Sequence, residues 1–205
     1  MGALLGKFNR VEMYFPGGCT IGARPINLHL KGFELLGAKV TEEDNHFIIE
    51  AEKLKGNNIY LDFPSVGATI NIMLAAVGAK GTTIIENAAM EPEIVNVASF
   101  LINMGVRIRG AGTKRIEIEG NYDLDRGVVD VFPDRIESGT YIIIGALLGD
   151  NLKIKGIIKE HVEALLLKLK DMGVKYNIDG DSITISKCDN IKATHIKTLI
   201  FPGFA

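Results

Sequence analysis

The sequence predicts a mixed α/β fold of the α/β (α+β) kind, built from about three copies of one β-α-β-α-β-β unit. Two sets of repeated residues and one alternation carry this reading. The apolar phrase Gly2-Ala3-Leu4-Leu5-Gly6 returns as Gly145-Ala146-Leu147-Leu148-Gly149, with Leu74-Ala75-Ala76-Val77-Gly78 as a looser copy. Leu36-Gly37, Met104-Gly105 and Met172-Gly173 each close an amphipathic stretch. Both sets recur about every 70 residues, and two independent markers with one period mean an internal repeat. Between the markers, short alternating runs flanked by Gly and Pro alternate with stretches of helical period.

The middle unit reads in full. A strand over Asn58–Phe63, ended by Pro64, precedes a small-residue-rich apolar helix that stops at Gly78. Thr82–Glu86 is the next strand, Pro92 starts a helix that ends at Gly105, and Val106–Arg109 and Arg115–Glu119 form a closing hairpin. The last unit repeats this with a strand at Val128–Phe132 before Pro133, a helix to Gly149 and a strand at Leu152–Ile157. Its second helix carries Val162, Leu165, Leu166, Leu169 and Met172 on one face and is stopped by Gly173, and strands follow at Val174–Ile178 and Ser182–Ser186. The first unit opens inside its first helix, so it has no leading strand. At the other end Ile200-Phe201-Pro202 echoes Asp62-Phe63-Pro64 and Val131-Phe132-Pro133. The segment His195–Phe201 is therefore expected to fill the missing strand. It would pair with the strand near Val11–Tyr14 or with residues 39–51, in the same chain or in a swapped dimer, because an open sheet edge leaves backbone groups unpaired.

Composition narrows the function. The chain has 205 residues, 47% hydrophobic and 23% charged, with a net charge of -2. Acids and bases are interspersed, which leaves no electrostatic footprint for nucleic acid or an anionic membrane. No apolar run has the length of a membrane span, and the N-terminus lacks the order of a signal peptide, so the expected compartment is the cytoplasm. Cys19 and Cys188 are too far apart in sequence for a metal-ligand motif, and no metal is expected.

The most reactive stretch runs from Pro16 to His29 and contains Gly17, Gly18, Cys19, Gly22 and Arg24. A thiol on a glycine-rich loop can meet a substrate and then be shielded when the loop shuts, and Arg24 can lower its pKa or hold an anion. From spacing alone this reading stands level with a packed cysteine and a solvated arginine. Ser65-Val66-Gly67-Ala68-Thr69 opens a helix and presents N–H groups that suit a phosphate, although the residues by themselves favour a plain N-cap. Glu91-Pro92-Glu93 reads as a helix start. Asp134-Arg135 reads either as a hinge ion pair or as a substrate-facing arginine. His29 reads as a capping or packing residue and Cys188 as incidental. Gly110-Ala111-Gly112 precedes a strand, which excludes a dinucleotide fingerprint.

Four runs carry a family resemblance: PGGCTIGARPINLHLKGFELLGA, PSVGATINIMLAA, ENAAMEPEIVNVASFL and PDRIESGTY. Ordered and spread over nearly the whole chain, they resemble the UDP-N-acetylglucosamine enolpyruvyl transferase family. The resemblance implies an inside-out α/β barrel in which two domains each hold three such units, with this chain matching the middle of the full enzyme. It puts the domain crossing near Phe132–Arg135. Residues 1–132 would then be two units with the cysteine loop and nucleotide segments, and residues 133–205 a third unit plus the first strand of the next. It further implies transfer of the enolpyruvyl group of phosphoenolpyruvate to the 3-hydroxyl of UDP-N-acetylglucosamine at the start of peptidoglycan synthesis, without a cofactor. Cys19 would be the general acid and the residue alkylated by epoxide antibiotics of the fosfomycin type, and Arg24 a phosphate contact. Nucleotide contacts would be Arg24, Pro25, Ile26, Asn27, Leu28, Phe63, Pro64, Ser65 and Val66, with Arg135 on the UDP-sugar side. Phe63 stands where some relatives have lysine and Asn27 where many have aspartate, which bears on affinity and not on ligand class. The family's other catalytic segments are not among these residues, so the chain alone is expected to bind partially, to catalyse nothing, and to need the remainder of the enzyme as partner. The rivals are a non-catalytic repeat module and an enzyme like enolpyruvylshikimate phosphate synthase, which shares the repeat fold but not the PGGC loop.

An activated thiol at Cys19 should react with iodoacetamide faster than Cys188, read by peptide mass spectrometry over a time course. Equal rates would remove the case for activation.

Overall fold

The computed structural model describes residues 1–14, 25–43, 46–120 and 123–204. The chain divides into two compact units, Met1–Asp130 and Val131–Ala205. The first contains α1 (Gly2–Phe8), β1 (Arg10–Tyr14), α2 (Asn27–Leu35), β2 (Lys39–Glu43), β3 (His46–Glu50), β4 (Asn58–Tyr60), α3 (Val66–Val77), β5 (Thr82–Glu86), α4 (Pro92–Asn103), β6 (Arg107–Arg109) and β7 (Arg115–Glu119). The second contains α5 (Arg135–Leu148), β8 (Leu152–Ile154), α6 (Lys159–Asp171), β9 (Tyr176–Asp179) and β10 (Ser182–Ile185). Among the described residues the expected β-α-β-α-β-β unit is thus complete once, from β4 to β7.

The periodic glycines have one structural meaning. Gly37, Gly105 and Gly173 sit just past α2, α4 and α6 with φ of 92°, 98° and 91°, a region where only glycine is unstrained. In each case the glycine N–H bonds back to Glu34, Ile102 or Lys170, and the next N–H, of Ala38, Val106 or Val174, reaches the carbonyl of Phe33, Leu101 or Leu169. This is the Schellman stop made three times, and the residue after each glycine is buried.

In the first unit β1, β3 and β2 form an antiparallel sheet in the order β1-β3-β2. A second sheet runs β4-β5-β7-β6, with β4 and β5 parallel and the others antiparallel. Period-2 alternation sets the faces: Phe47 and Ile49 of β3, and Ile116 and Ile118 of β7, are buried, while Arg115, Glu117 and Glu119 turn outward. α3 lies at the centre. Ala68, Thr69, Ile72, Met73, Ala75, Ala76 and Val77 are all buried, which is the signature of an inner helix. α1 runs beside α3 in the same sense, since Gly2 abuts Asn71 while Gly6 abuts Leu74, Ala75 and Gly78. A Cβ on Gly78 would stand 2.1 Å from the Gly6 carbonyl oxygen, so the approach needs glycine there. The second unit packs α5 and α6 on the sheet β8-β10-β9 through Ile142, Ala146, Leu166, Ile183 and Ile185.

Three expectations are corrected. Val128–Phe132 is not a strand: the carbonyls of Val128 and Asp130 accept from the side-chain amides of Asn103 and Asn96 on α4, and Val128 and Val131 are 85% and 82% exposed. A carbonyl already held by a side chain is not offered to a ladder. The strands expected at Asn58–Phe63 and Leu152–Ile157 are three residues each, β4 and β8. The segment expected to complete the first unit closes on itself, with Leu199 N–H bonded to Phe204, Gly203 N–H to Ile200, and Thr198 bridged to Phe204. The strand that pairs with β1 is β3. No helix among the described residues is long and apolar enough to cross a membrane.

Gly78→Ala should lower unfolding stability in urea by about 1–3 kcal/mol, because the obstructing atoms are backbone and cannot yield. An unchanged midpoint would show that α1 does not hold this position in solution.

Candidate functional site

The two segments expected to hold the nucleotide lie on neighbouring helix starts. α2 begins at Asn27 after Pro25 and Ile26, and α3 begins at Val66 after Phe63, Pro64 and Ser65. The helices run in the same sense. A Cβ on Gly67, in the first turn of α3, would stand 3.2 Å from Cε1 of His29 in the first turn of α2. One turn on, a Cβ on Gly32 would stand 2.4 Å from Cδ1 of Ile72. Contacts in that order put both N-termini at one end, where their free N–H groups and positive dipole ends lie side by side. The structure therefore brings Pro25, Ile26, Asn27 and Leu28 together with Phe63, Pro64, Ser65 and Val66. Cys19 and Arg24 lie outside the described residues.

Capping differs between the two starts. Ser65 Oγ accepts from Ala68 N–H at 3.3 Å, so the N-cap expected of it is made. Ile26, the N-cap of α2, has no side chain able to cap, and neither first turn carries an acid. The α2 donors are thus without a side-chain partner among the described residues. An anion is the ligand such an end favours.

The loop between β4 and α3 is held from two sides. On the inner side, buried Thr69 donates its hydroxyl to the Ser65 carbonyl at 2.8 Å and accepts from Ala89 N–H at 3.1 Å. Asn87, in the left-handed region at φ 55°, sends its side-chain amide to the Leu61 carbonyl at 2.7 Å. On the outer side, the Lys31 ammonium meets the Asp62 carboxylate at 2.6 Å. Sequence reasoning found neither tie, since the partners stand 20 to 31 positions apart.

His29 is a packing residue, as expected, with an added feature. Its Nδ1 is buried without a hydrogen-bond partner among the described residues, and burial, followed by the positive N-terminal ammonium, holds its pKa below the ordinary 6.5. Glu91 precedes α4, whose first residue is Pro92, as read from sequence. The structure adds that Glu91 is only 8% exposed and that its Oε2 is buried without a partner among the described residues.

Arg135 belongs to the second unit and is described within it. Asp134 caps α5, accepting from Ile136 and Glu137 N–H at 2.7 and 3.2 Å, a role the sequence reading did not assign to it. The Arg135 guanidinium lies 5.6 Å from the centre of the Phe201 ring, at a cavity of about 210 Å³ that Thr140, Glu160, His161 and Phe204 also line. Cys188 accepts a structural place, its thiol 3.6 Å from the Gly173 carbonyl oxygen.

A family model described as EPSP synthase (3-phosphoshikimate 1-carboxyvinyltransferase) matches residues 1–205. Among curated proteins, the chain is 52% identical over 204 residues to UDP-N-acetylglucosamine 1-carboxyvinyltransferase 2 of Listeria monocytogenes, covering 100% of this chain and 48% of that protein. The protein of the same name from Geobacillus kaustophilus is also 52% identical over the same coverage. The chain therefore spans about half the length of the curated relatives it matches. Among solved structures, the enolpyruvyl transferase NikO from Streptomyces tendae aligns with a TM-score of 0.79 at 24% identity, over 92% of this chain and 46% of that one. EPSP synthase from Acinetobacter baumannii aligns with a TM-score of 0.59 at 21% identity, over 89% and 44%. These two likenesses show the fold.

An NMR titration should give His29 a midpoint below 6.5. Between that midpoint and 6.5 the unfolded chain binds more protons than the folded one, so stability falls as pH is lowered through this window. The urea midpoint should decline below about pH 6.5 and His29→Gln should flatten that part of the profile; a midpoint at or above 6.5 contradicts the burial argument.

Proposed function

The chain belongs to the EPSP synthase family, and on that premise we propose that it is the part of a UDP-N-acetylglucosamine 1-carboxyvinyltransferase that carries the cysteine loop and one wall of the nucleotide site. The observation that carries the proposal is the pairing of the α2 and α3 starts, which joins residues 25–28 to residues 63–66 at one electropositive end. The half-identity to relatives of that name over the full chain supports the same substrate class. The PGGC loop separates this reading from the shikimate branch of the family, and the reactive-loop composition separates it from a scaffold.

In the reaction assigned to the whole enzyme, the 3-hydroxyl oxygen of the sugar forms a bond to C2 of phosphoenolpyruvate while C3 takes a proton from the Cys19 thiol. The hydroxyl proton passes to a base outside this chain. Elimination then breaks the bond from C2 to the phosphate oxygen while C3 returns a proton to the Cys19 thiolate, and the enol ether and phosphate are released. Arg24 neutralises phosphate and the α2 and α3 N–H groups hold the nucleotide. The domain division follows the same assignment: residues 1–132 supply the nucleotide segments and residues 133–205 begin the second domain. Peptidoglycan synthesis in the cytoplasm is the corresponding cellular role, and the remainder of the enzyme is the partner required for turnover.

Titration of the isotopically labelled chain with UDP-N-acetylglucosamine should move amide signals centred on residues 25–28 and 63–66. Shifts confined to other surfaces would overturn the assignment. The chain alone, given both substrates, should release no phosphate; turnover would refute the partial-site reading.

A further inference from the structure

We propose that Lys31 is a positioning residue of this site, acting through Asp62 to hold the 61–65 loop against the first turn of α2 so that the two nucleotide segments move as one body. The inference rests on the nucleotide reading above and adds the device that fixes the separation of its two halves. Lys31 lies one turn beyond Asn27, and residues four apart share a helix face, so the face that carries Asn27 also carries the ammonium. Asp62 immediately precedes Phe63. The 2.6 Å contact therefore joins α2, one turn beyond one ligand segment, to the residue just before the other, across 31 positions of sequence.

The rest of the local structure leaves this task to Lys31. Thr69 and Asn87 tie the loop to α3 and to the turn after β5, and neither bonds to α2. At its other end α2 is tied by Asn57, whose side-chain amide donates to the Leu35 carbonyl at 2.8 Å. His29 and Gly67 touch without a polar bond. The ion pair is thus the polar link between the α2 start and the loop among the described residues. Its partners are 45% and 67% exposed, so it sets position more than stability.

The test compares Lys31→Met, Asp62→Asn and the reversed pair K31D/D62K in the full 205-residue chain. In the ligand-free protein, amide exchange at residues 27–30 and 63–67 should speed up about two- to five-fold in each single variant and return to the parental rate in the reversed pair, with the urea midpoint nearly unchanged. The apparent Kd for UDP-N-acetylglucosamine should weaken by a similar factor in both single variants and recover on reversal. A loss seen with Lys31→Met but not with Asp62→Asn, without recovery on reversal, would make Lys31 a direct phosphate ligand and overturn the positioning role. Parental exchange rates in both single variants would overturn it as well. If the parental chain binds no nucleotide, the nucleotide reading fails by itself, while the exchange rates still decide whether Lys31 couples the two segments.

Discussion

The close parallel approach of α2 and α3 is the constraint on which the site depends. Where Gly67 faces His29 and Gly32 faces Ile72, a side chain of one helix lies against a glycine of the other, so the two axes can approach closely. The two first turns therefore end at the same level, and backbone donors from segments far apart in sequence become neighbours. A methyl group at Gly32 would meet Ile72 well inside contact distance, so the buried Ile72 side chain would have to change rotamer or the helices to shift. α3 is held from its other flank by the glycines of α1, so the inner helix is fixed before any loop is placed. Loops on a scaffold set in this way can carry reactive groups without having to define their own position.

Charge is distributed accordingly. On the four-stranded sheet of the first unit, Arg107 pairs with Glu119, and Arg115 with Glu86 and Glu117, all across or along strands and all in contact with water. Such pairs fix register and contribute little each. At the helix starts, by contrast, neutral and backbone groups predominate, and an imidazole kept uncharged by burial sits between them. A site that presents N–H groups without a competing carboxylate in its first turns is suited to a ligand that brings its own negative charge.

What was legible in the sequence follows the range of the forces involved. The Gly37, Gly105 and Gly173 stops could be read because a left-handed backbone is a local demand, and the starts at Ser65 and Pro92 because capping acts within one turn. Strands with a full alternating face, such as Arg115–Glu119, were equally plain. Val128–Phe132 has the same apolar character and yet is no strand, because the amides of Asn96 and Asn103 take its carbonyls, and no periodicity reports a competitor 25 to 34 positions away. The Asp134 cap is equally local, an aspartate just after Pro133 and before a helix, although the pair Asp134-Arg135 reads in sequence as a hinge ion pair or a substrate-facing arginine. Thr69, Asn87 and the Lys31–Asp62 contact were beyond reach, since each is a side chain meeting a distant segment. Cys19 and Arg24, the strongest chemical signals in the sequence, lie outside the described residues.

The caps of α3 and α5 show how a repeat can be made unequal by one atom group. Phe63-Pro64-Ser65-Val66 and Phe132-Pro133-Asp134-Arg135 are the same phrase in successive units, and the third residue of each caps the helix that follows. Serine does so with a neutral hydroxyl, leaving the helix end attractive to an incoming anion. Aspartate does so with a full negative charge, which satisfies two backbone donors and cancels the attraction from within. Duplicated units need not diverge in fold to differ in charge: a carboxylate at the cap answers one copy's donors from within, and a hydroxyl leaves the other copy's helix end without a formal negative charge.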